Sequence, residues 1–178
     1  PWQELIGTRS YVNLLCIPKG FSLHVCLFSH SSGLEGAERS LLELVDSLVS
    51  ERGTLCTVVL PNEGPLTQML AEKGAATMQV DYGWWCAGET ATEMEMSRQM
   101  ALGCSQVQRL APALDRSKPD VILSNTLVIP WGALAAAKLD IPHVWWVKEF
   151  GKLDHDLKFF LEFDDVLTII KSSSNQIV

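Results

Sequence analysis

The segment from residue 29 to residue 40, SHSSGLEGAERS, carries residue types that can bind an anion. It separates an apolar run, LHVCLF, from a periodic stretch, LLELVDSLVSERG. A loop that leaves a parallel strand and enters a helix presents free backbone N–H groups and the positive end of the helix dipole. Gly33 and Gly36 allow a ligand to approach the backbone closely, and the hydroxyls of Ser31 and Ser32 add donors. Such a turn can hold a phosphate group.

The same segment also fits a helix start that binds nothing. Ser32 and Glu35 have the spacing of a capping box, in which side chains satisfy the free N–H groups while the glycines only form the turn. Taken alone, the turn favours this structural role. A dinucleotide site is disfavoured, because GLEG departs from GxGxxG and the second apolar run ends in LPN, residues 60–62, without an acidic residue.

The elements around this turn follow an alternating pattern. From residue 23 onward, short apolar runs alternate with longer helical patterns, which is typical of βαβ units around a parallel sheet. The pattern predicts an α/β fold, specifically a Rossmann-like three-layer α/β/α domain with a mainly parallel sheet of six or seven strands. The predicted strands are residues 23–28, 54–60, 77–80, 121–124, 143–147 and 166–170.

Two helical patterns stand out. Apolar residues recur at three- and four-residue steps from Ala37 to Val49, and Gly53 provides a stop signal. We expect Glu38 on the solvent side of this helix. Residues 92–118 are also helical in pattern, although Pro112 should kink or split that helix. The final segment, KSSSNQIV, predicts the start of a further helix, whereas residues 1–22 form an N-terminal extension without an assignment.

Composition excludes several classes of function. The 14 Lys and Arg residues are outnumbered by 21 Asp and Glu residues and form no basic run, so we expect no nucleic-acid partner. The five cysteines form no CxxC pair, which favours free thiols in a cytoplasmic setting. The histidines lack metal-ligand spacing, so no metal is expected. No apolar run reaches the roughly 20 residues needed to cross a bilayer, and no signal-peptide pattern opens the chain.

Three ordered segments carry a family resemblance. They read GAERSLLELVDSL, then TVVLPNEGPL, then PDVILSNTL followed by GALAAAKLDIPHVWWVKEF. Together they resemble the N-terminal domain of GT-B glycosyltransferases of the family-four (group 1) type, retaining enzymes that use a nucleotide-sugar donor. The resemblance covers residues 23–178. It implies an acceptor-side domain whose C-terminal partner domain, which holds most of the donor, is absent from this sequence.

The resemblance also assigns roles to the opening turn. It implies that the backbone of residues 31–36 lies against the donor diphosphate and sugar. The family has two adjacent glycines before Ala-Glu-Arg; Gly36 matches the second, whereas Glu35 replaces the first. A carboxylate repels a diphosphate unless it is held elsewhere, so either Glu35 is bound to Ser32 or donor contact is weakened. The implied donor-binding residues are Ser31, Ser32, Gly33, Glu35 and Gly36.

Lys148 and Glu149 are candidate acceptor- or sugar-binding residues, and Lys148 stands where many family members carry a histidine that contacts the transferred sugar. Its cation can hold a phosphate, although pairing with Glu149 as a solvated loop lysine is equally consistent with the sequence. Other acceptor-side candidates also have structural alternatives. Asn125 and Thr126 either bind a hydroxyl or close a turn, and Trp84 and Trp85 either stack on a sugar or pack beneath their loop.

The implied activity is hexosyl transfer from a nucleotide sugar to a hydroxyl of a glycan or lipid-linked acceptor, as in polysaccharide biosynthesis. The isolated domain should be inactive, and no catalytic residue is assigned because the resemblance puts the catalytic groups largely in the absent domain. No cofactor is expected, and a peripheral position at the inner face of the membrane stays open. Two alternatives remain: a non-catalytic sugar- or phosphate-binding or interaction domain, and a nucleotide-sugar epimerase.

Overall fold

The computed structural model describes residues 23–148 and 157–178, so the N-terminal extension and Glu149 lie outside the described residues. Strands and helices alternate along most of the chain. The elements are β1 (His24–Ser29), α1 (Gly36–Arg52), β2 (Leu55–Leu60), α2 (Pro65–Glu72), β3 (Ala76–Gln79), β4 (Cys86–Ala87), α3 (Glu93–Ser117), β5 (Val121–Asn125), α4 (Trp131–Leu139), β6 (His143–Trp146), β7 (Lys158–Phe159), α5 (Phe163–Ser172) and β8 (Gln176–Ile177).

Six of these strands form one sheet in the order β3-β2-β1-β5-β6-β8, and all of its pairings among the described residues are parallel. The predicted Rossmann-like α/β fold is confirmed. A second, two-stranded antiparallel sheet joins β4 to β7, which the sequence pattern did not indicate. Since β1 lies between β2 and β5, the carboxyl ends of these three strands meet at one edge of the sheet.

The sheet is the middle of three layers, because both of its faces are buried. In β1, Val25 and Leu27 pack on one side, whereas Cys26 and Phe28 pack on the other. Helices α1 and α2 cover the first face, and α3, α4 and α5 cover the second. Continuous apolar strands of this kind are expected when helices lie on both faces.

Two predictions at the C-terminal end were wrong. Residues 166–170, predicted as a strand, lie within α5, and the following segment ends in β8 rather than opening a helix. In α5 the buried residues Val166, Leu167 and Ile170 occupy one face, which matches helical spacing. A short apolar run does not separate the two structures by itself. Strand β8 then extends the sheet beside β6.

Helix α3 is one continuous helix of 25 residues despite Pro112. It begins with a capping box, in which Glu95 N–H donates to Thr92 Oγ1 over 3.3 Å and Thr92 N–H donates to Glu95 Oε2 over 2.9 Å. Within residues 23–148 and 157–178, no helix is both long and apolar enough to cross a membrane.

His143 makes stability depend on pH. His143 is 1% exposed, and its Nε2 lies 2.9 Å from Ser124 Oγ. Burial lowers the pKa of His143 from 6.5 to about 4, and the nearby Ser173 backbone opposes part of that shift. Between these values the unfolded chain binds more protons, so stability is lost as the pH falls. We expect the free energy of unfolding to fall by about 2 kcal/mol between pH 7 and pH 5 because of His143.

Urea unfolding at pH 7, 6 and 5 measures this dependence, with His143→Gln as the comparison. The variant should lose less stability than the wild type over the same interval, whatever its stability at pH 7. Equal slopes for the wild type and His143→Gln would contradict the assignment.

Candidate functional site

The described residues form a pocket of about 510 Å³ at the carboxyl edge of the sheet. Ligands of open α/β sheets bind at this edge, and the volume is within the range of small-molecule sites. The loops that follow β1, β2 and β3 build its walls, and one side chain of α3 completes them. The lining residues that matter most for chemistry are His30, Ser31, Asn62, Tyr82, Trp84 and Gln99.

The β1–α1 turn is held by the neighbouring loop rather than by a helix cap. Ser32 Oγ donates to Asn62 Oδ1 and approaches the Glu63 carbonyl at 3.3 Å, and Leu66 N–H donates to the Ser32 carbonyl over 3.1 Å. Glu35 is the N-cap residue of α1, but its side chain makes no capping hydrogen bond within the described residues. The predicted Ser32–Glu35 capping box is therefore wrong, and the Glu35 side chain is exposed.

Gly64 makes this packing of two loops feasible. A Cβ atom on Gly64 would overlap Ser32. The residue is needed for close approach between loops rather than for an unusual backbone angle. The β2–α2 loop thereby fixes the position of the turn that follows β1.

Ser31 and Gly36 remain available to a ligand. Ser31 Oγ accepts from Gly33 N–H over 2.9 Å, which leaves the hydroxyl proton to donate, and the residue lines the pocket. Gly36 is exposed in the first turn of α1, and a Cβ atom there would contact nothing within 4 Å among the described residues. The fold itself does not require glycine at position 36.

Glu38 is the functional candidate that sequence reasoning missed. Its side chain is fully buried rather than solvent-exposed, and its Oε1 lies 3.2 Å from His30 Nε2. The prediction of a surface position was wrong because it followed the charge of the residue and not its register. Residues 38, 41, 45 and 48 form the buried stripe of α1. A carboxylate in that register signals a buried polar contact.

Asn125 and Thr126 lie at the end of β5, and both side chains are fully buried. Asn125 Nδ2 donates to the Ala37 carbonyl over 3.2 Å and so ties β5 to the first turn of α1. Thr126 has a φ of 92°, which is strained for a β-branched residue. Asn125 Oδ1 and Thr126 Oγ1 have no hydrogen-bond partner within the described part of the chain.

The two adjacent tryptophans have different environments. Trp84 is 38% exposed, its indole N–H donates to the His30 carbonyl over 3.2 Å, and its ring lies 5.5 Å from the His30 ring. Trp85 is 3% exposed, donates to the Leu127 carbonyl over 2.7 Å and stacks on Trp145. Of the two alternatives for this pair, the structure shows packing for Trp85, and only Trp84 lines the pocket.

Lys148 follows β6, and its Nζ lies 3.5 Å from the centroid of the Trp146 ring. This cation–π contact positions the ammonium group at the carboxyl edge of the sheet. Glu149 is not among the described residues, so the alternative pairing of these two side chains stays a prediction.

No protein-family model and no curated protein matches the sequence. Solved structures match the fold. MurG from Acinetobacter baumannii matches with a TM-score of 0.58 and 14% identity, covering 87% of this chain and 40% of that protein. Arabidopsis thaliana UGT89C1 complexed with UDP matches with a TM-score of 0.54 and 14% identity, covering 88% and 42%. This chain has the fold of one Rossmann-like domain of the GT-B type.

A putative UDP-N-acetylglucosamine 2-epimerase from Listeria monocytogenes has the same fold, with a TM-score of 0.55, 11% identity, and coverage of 88% of this chain and 39% of that protein. This chain therefore spans about two fifths of the length of these GT-B-type proteins. Identities this low establish the fold alone, so function has to be argued from the site.

Proposed function

We propose that this chain is the acceptor-side half of a retaining glycosyltransferase, which moves a hexosyl group from a nucleotide sugar to a hydroxyl acceptor. The observation that carries the proposal is the pocket at the carboxyl edge of a GT-B-type sheet, beside the exposed start of α1. The solved complex of UGT89C1 with UDP supports a nucleotide-sugar partner. A second domain would hold most of the donor and complete the cleft.

The start of α1 is the proposed contact for the donor diphosphate. Backbone N–H groups of an uncapped helix start favour an anion, and exposed Gly36 leaves room for its approach. Lys148 adds a positive charge at the same edge of the sheet. Stabilising the departing diphosphate is the main catalytic demand of the reaction. We assign no nucleophile or base in this chain and expect no metal or other cofactor.

Asn125 and Thr126 have a positioning role in this proposal. Asn125 holds the first turn of α1 through the Ala37 carbonyl, and both side chains are fully buried. Trp84 supplies the aromatic surface for the acceptor, whereas Trp85 supports the loop from the core. The acceptor is a glycan or a lipid-linked sugar, and we place the reaction in the cytoplasm or at the inner membrane face.

Nucleotide-sugar epimerisation is the second candidate, favoured by the likeness to the Listeria protein. Proton NMR of the anomeric signals separates the two activities, using protein expressed from the full gene. A transferase consumes UDP-, GDP- or ADP-sugar only when an acceptor is present and keeps the anomeric configuration. An epimerase produces a new nucleotide-sugar signal without an acceptor. Acceptor-independent conversion would contradict the proposed transfer.

Glu35 should weaken donor binding. Since Ser32 is bound to Asn62 instead, the Glu35 carboxylate is left exposed beside the proposed diphosphate position. In the protein expressed from the full gene, Glu35→Gln should lower the Kd for UDP about tenfold, because like-charge repulsion is removed. Isothermal titration calorimetry measures the change.

Glu51→Gln is the matched control, because it removes the same charge from the exposed other end of α1. It should leave the Kd for UDP unchanged. An equal change in both variants would mean that only the net charge of the protein affects UDP binding. No change in either variant would contradict binding of the diphosphate at the start of α1.

A further inference from the structure

Among the described residues that line the 510 Å³ pocket, His30 is the one whose side chain can carry a positive charge, and its partner is the buried Glu38 carboxylate. None of the described lining residues is a lysine, arginine, aspartate or glutamate. Phosphate groups are normally bound by arginine or lysine side chains, or by several free backbone N–H groups. The composition of the walls therefore points to an uncharged ligand.

Three lining side chains suit the recognition of hydroxyl groups. Asn62 Oδ1 already accepts a hydrogen bond from Ser32 Oγ, so the NH₂ group of Asn62 is the part that can donate to a ligand. Ser31 retains a hydroxyl proton, and Gln99 contributes an exposed amide whose side-chain carbons lie against Gly83. Hydroxyls and amides both donate and accept hydrogen bonds, as sugar hydroxyls do.

Trp84 adds an apolar surface to these groups. Its indole N–H is already used by the His30 carbonyl, so the exposed 38% of the residue offers ring carbons rather than a donor. An aromatic ring beside amides and hydroxyls matches a pyranose, which has one C–H face and a rim of hydroxyls.

The charges around the pocket disfavour an anion. The Glu38 carboxylate is buried, and its Oε1 lies 3.2 Å from Nε2 of the pocket-lining His30. Lys148 lies over Trp146 after β6 and does not line the pocket. The whole chain carries a formal net charge of −7. The Glu38 carboxylate offsets any positive charge on His30, so the described lining offers an anionic ligand no net positive charge.

We propose that this pocket binds a neutral carbohydrate acceptor and discriminates against phosphorylated sugars. The inference rests on the proposed transferase function and names its acceptor class. The donor diphosphate and the acceptor then occupy separate places: the anion lies at the start of α1, and the uncharged sugar lies between Trp84, Asn62 and Gln99.

The test is a ¹H–¹⁵N NMR titration of the 178-residue chain. The probes are glucose, N-acetylglucosamine and maltose, with glucose 6-phosphate and N-acetylglucosamine 6-phosphate as charged counterparts. We expect a neutral sugar to shift the Trp84 indole and Gln99 amide signals, and its phosphate to bind at least tenfold more weakly. Tighter binding of the phosphate, or no shift at these signals with any neutral sugar, would overturn the assignment.

A positive charge inserted into the pocket should reduce or abolish the preference for the neutral sugar. Gln99→Lys should tighten binding of the sugar phosphate about tenfold, since the exposed site on α3 accommodates lysine. Gln108→Lys, at an exposed position of the same helix outside the pocket, should leave it unchanged. Equal effects of the two substitutions would show that net charge and not the pocket is responsible, against the proposal.

The outcomes also separate this inference from the proposed function. Neutral-sugar binding at Trp84 without nucleotide-sugar turnover by the full protein would contradict the proposed transferase function and support a carbohydrate-binding site. Turnover with a preference for phosphorylated acceptors would contradict the proposed neutral acceptor and support the transferase function.

Discussion

Replacing Gly103 by alanine should lower the free energy of unfolding by about 3 kcal/mol, although alanine is the better helix former. A Cβ atom on Gly103 would overlap the six-membered ring of Trp131. That ring is fully buried, and its indole N–H donates to the Gly83 carbonyl over 2.6 Å. Because Trp131 is held at both ends of its side chain, the overlap has to be relieved by separating α3 from α4.

The substitution also reaches the pocket, because Gly83 precedes Trp84 and lines the same wall. Gly88→Ala is the control at another pocket-lining glycine, which follows β4, since its Cβ would meet no described atom within 4 Å. Urea unfolding should place this control within about 0.5 kcal/mol of the wild type. Wild-type stability of Gly103→Ala would contradict the close packing of the two helices.

Replacing His30 by leucine should cost about 3 kcal/mol of unfolding free energy, because it leaves the Glu38 carboxylate buried without its partner. Adding Glu38→Leu to that variant should recover most of the loss, since an apolar pair replaces an unpaired charge. The non-additivity of the two substitutions, measured by urea unfolding of all four proteins, gives the coupling energy.

Lys73→Leu gives the matched comparison for this pair. Lys73 Nζ lies 2.9 Å from Asp46 Oδ2, but the two side chains are 40% and 44% exposed. Exposed ion pairs contribute at most about 1 kcal/mol, so this substitution should change stability little. A loss in His30→Leu as small as that in Lys73→Leu would show that burial of Glu38 does not matter.

The sequence predicted the sheet well because its inner strands are short apolar runs between clear breaks. The prediction was wrong where a short apolar run fits either a buried strand or one face of a helix. Residues 166–170 are as apolar as a buried strand, yet the spacing of Val166, Leu167 and Ile170 serves one face of α5. The strands β4 and β7 are two residues each and pair across a long stretch of chain, which leaves almost no local pattern to detect.

The sequence predicted where the site lies on the sheet better than it predicted which side chains bind each other there. The β1–α1 turn lies at the expected edge, but Ser32 binds Asn62 on another loop instead of Glu35 three residues away. Capping spacing is a local signal, and it does not register a competing partner that the fold brings close. Trp84 and Trp85 show the same limit, since neighbouring identical residues give no local reason why one is exposed and the other buried.

Hydrogen–deuterium exchange of the full protein, with and without a nucleotide sugar and a neutral acceptor, tests most directly whether ligands bind at the carboxyl edge of this sheet. We predict slower exchange in residues 30–38, 61–64 and 82–88. Residues 53–54, 73–75 and 118–120, at the opposite edge, should keep their rates. Protection confined to the opposite edge, or absent from residues 30–38 while the ligands are bound, would contradict the account.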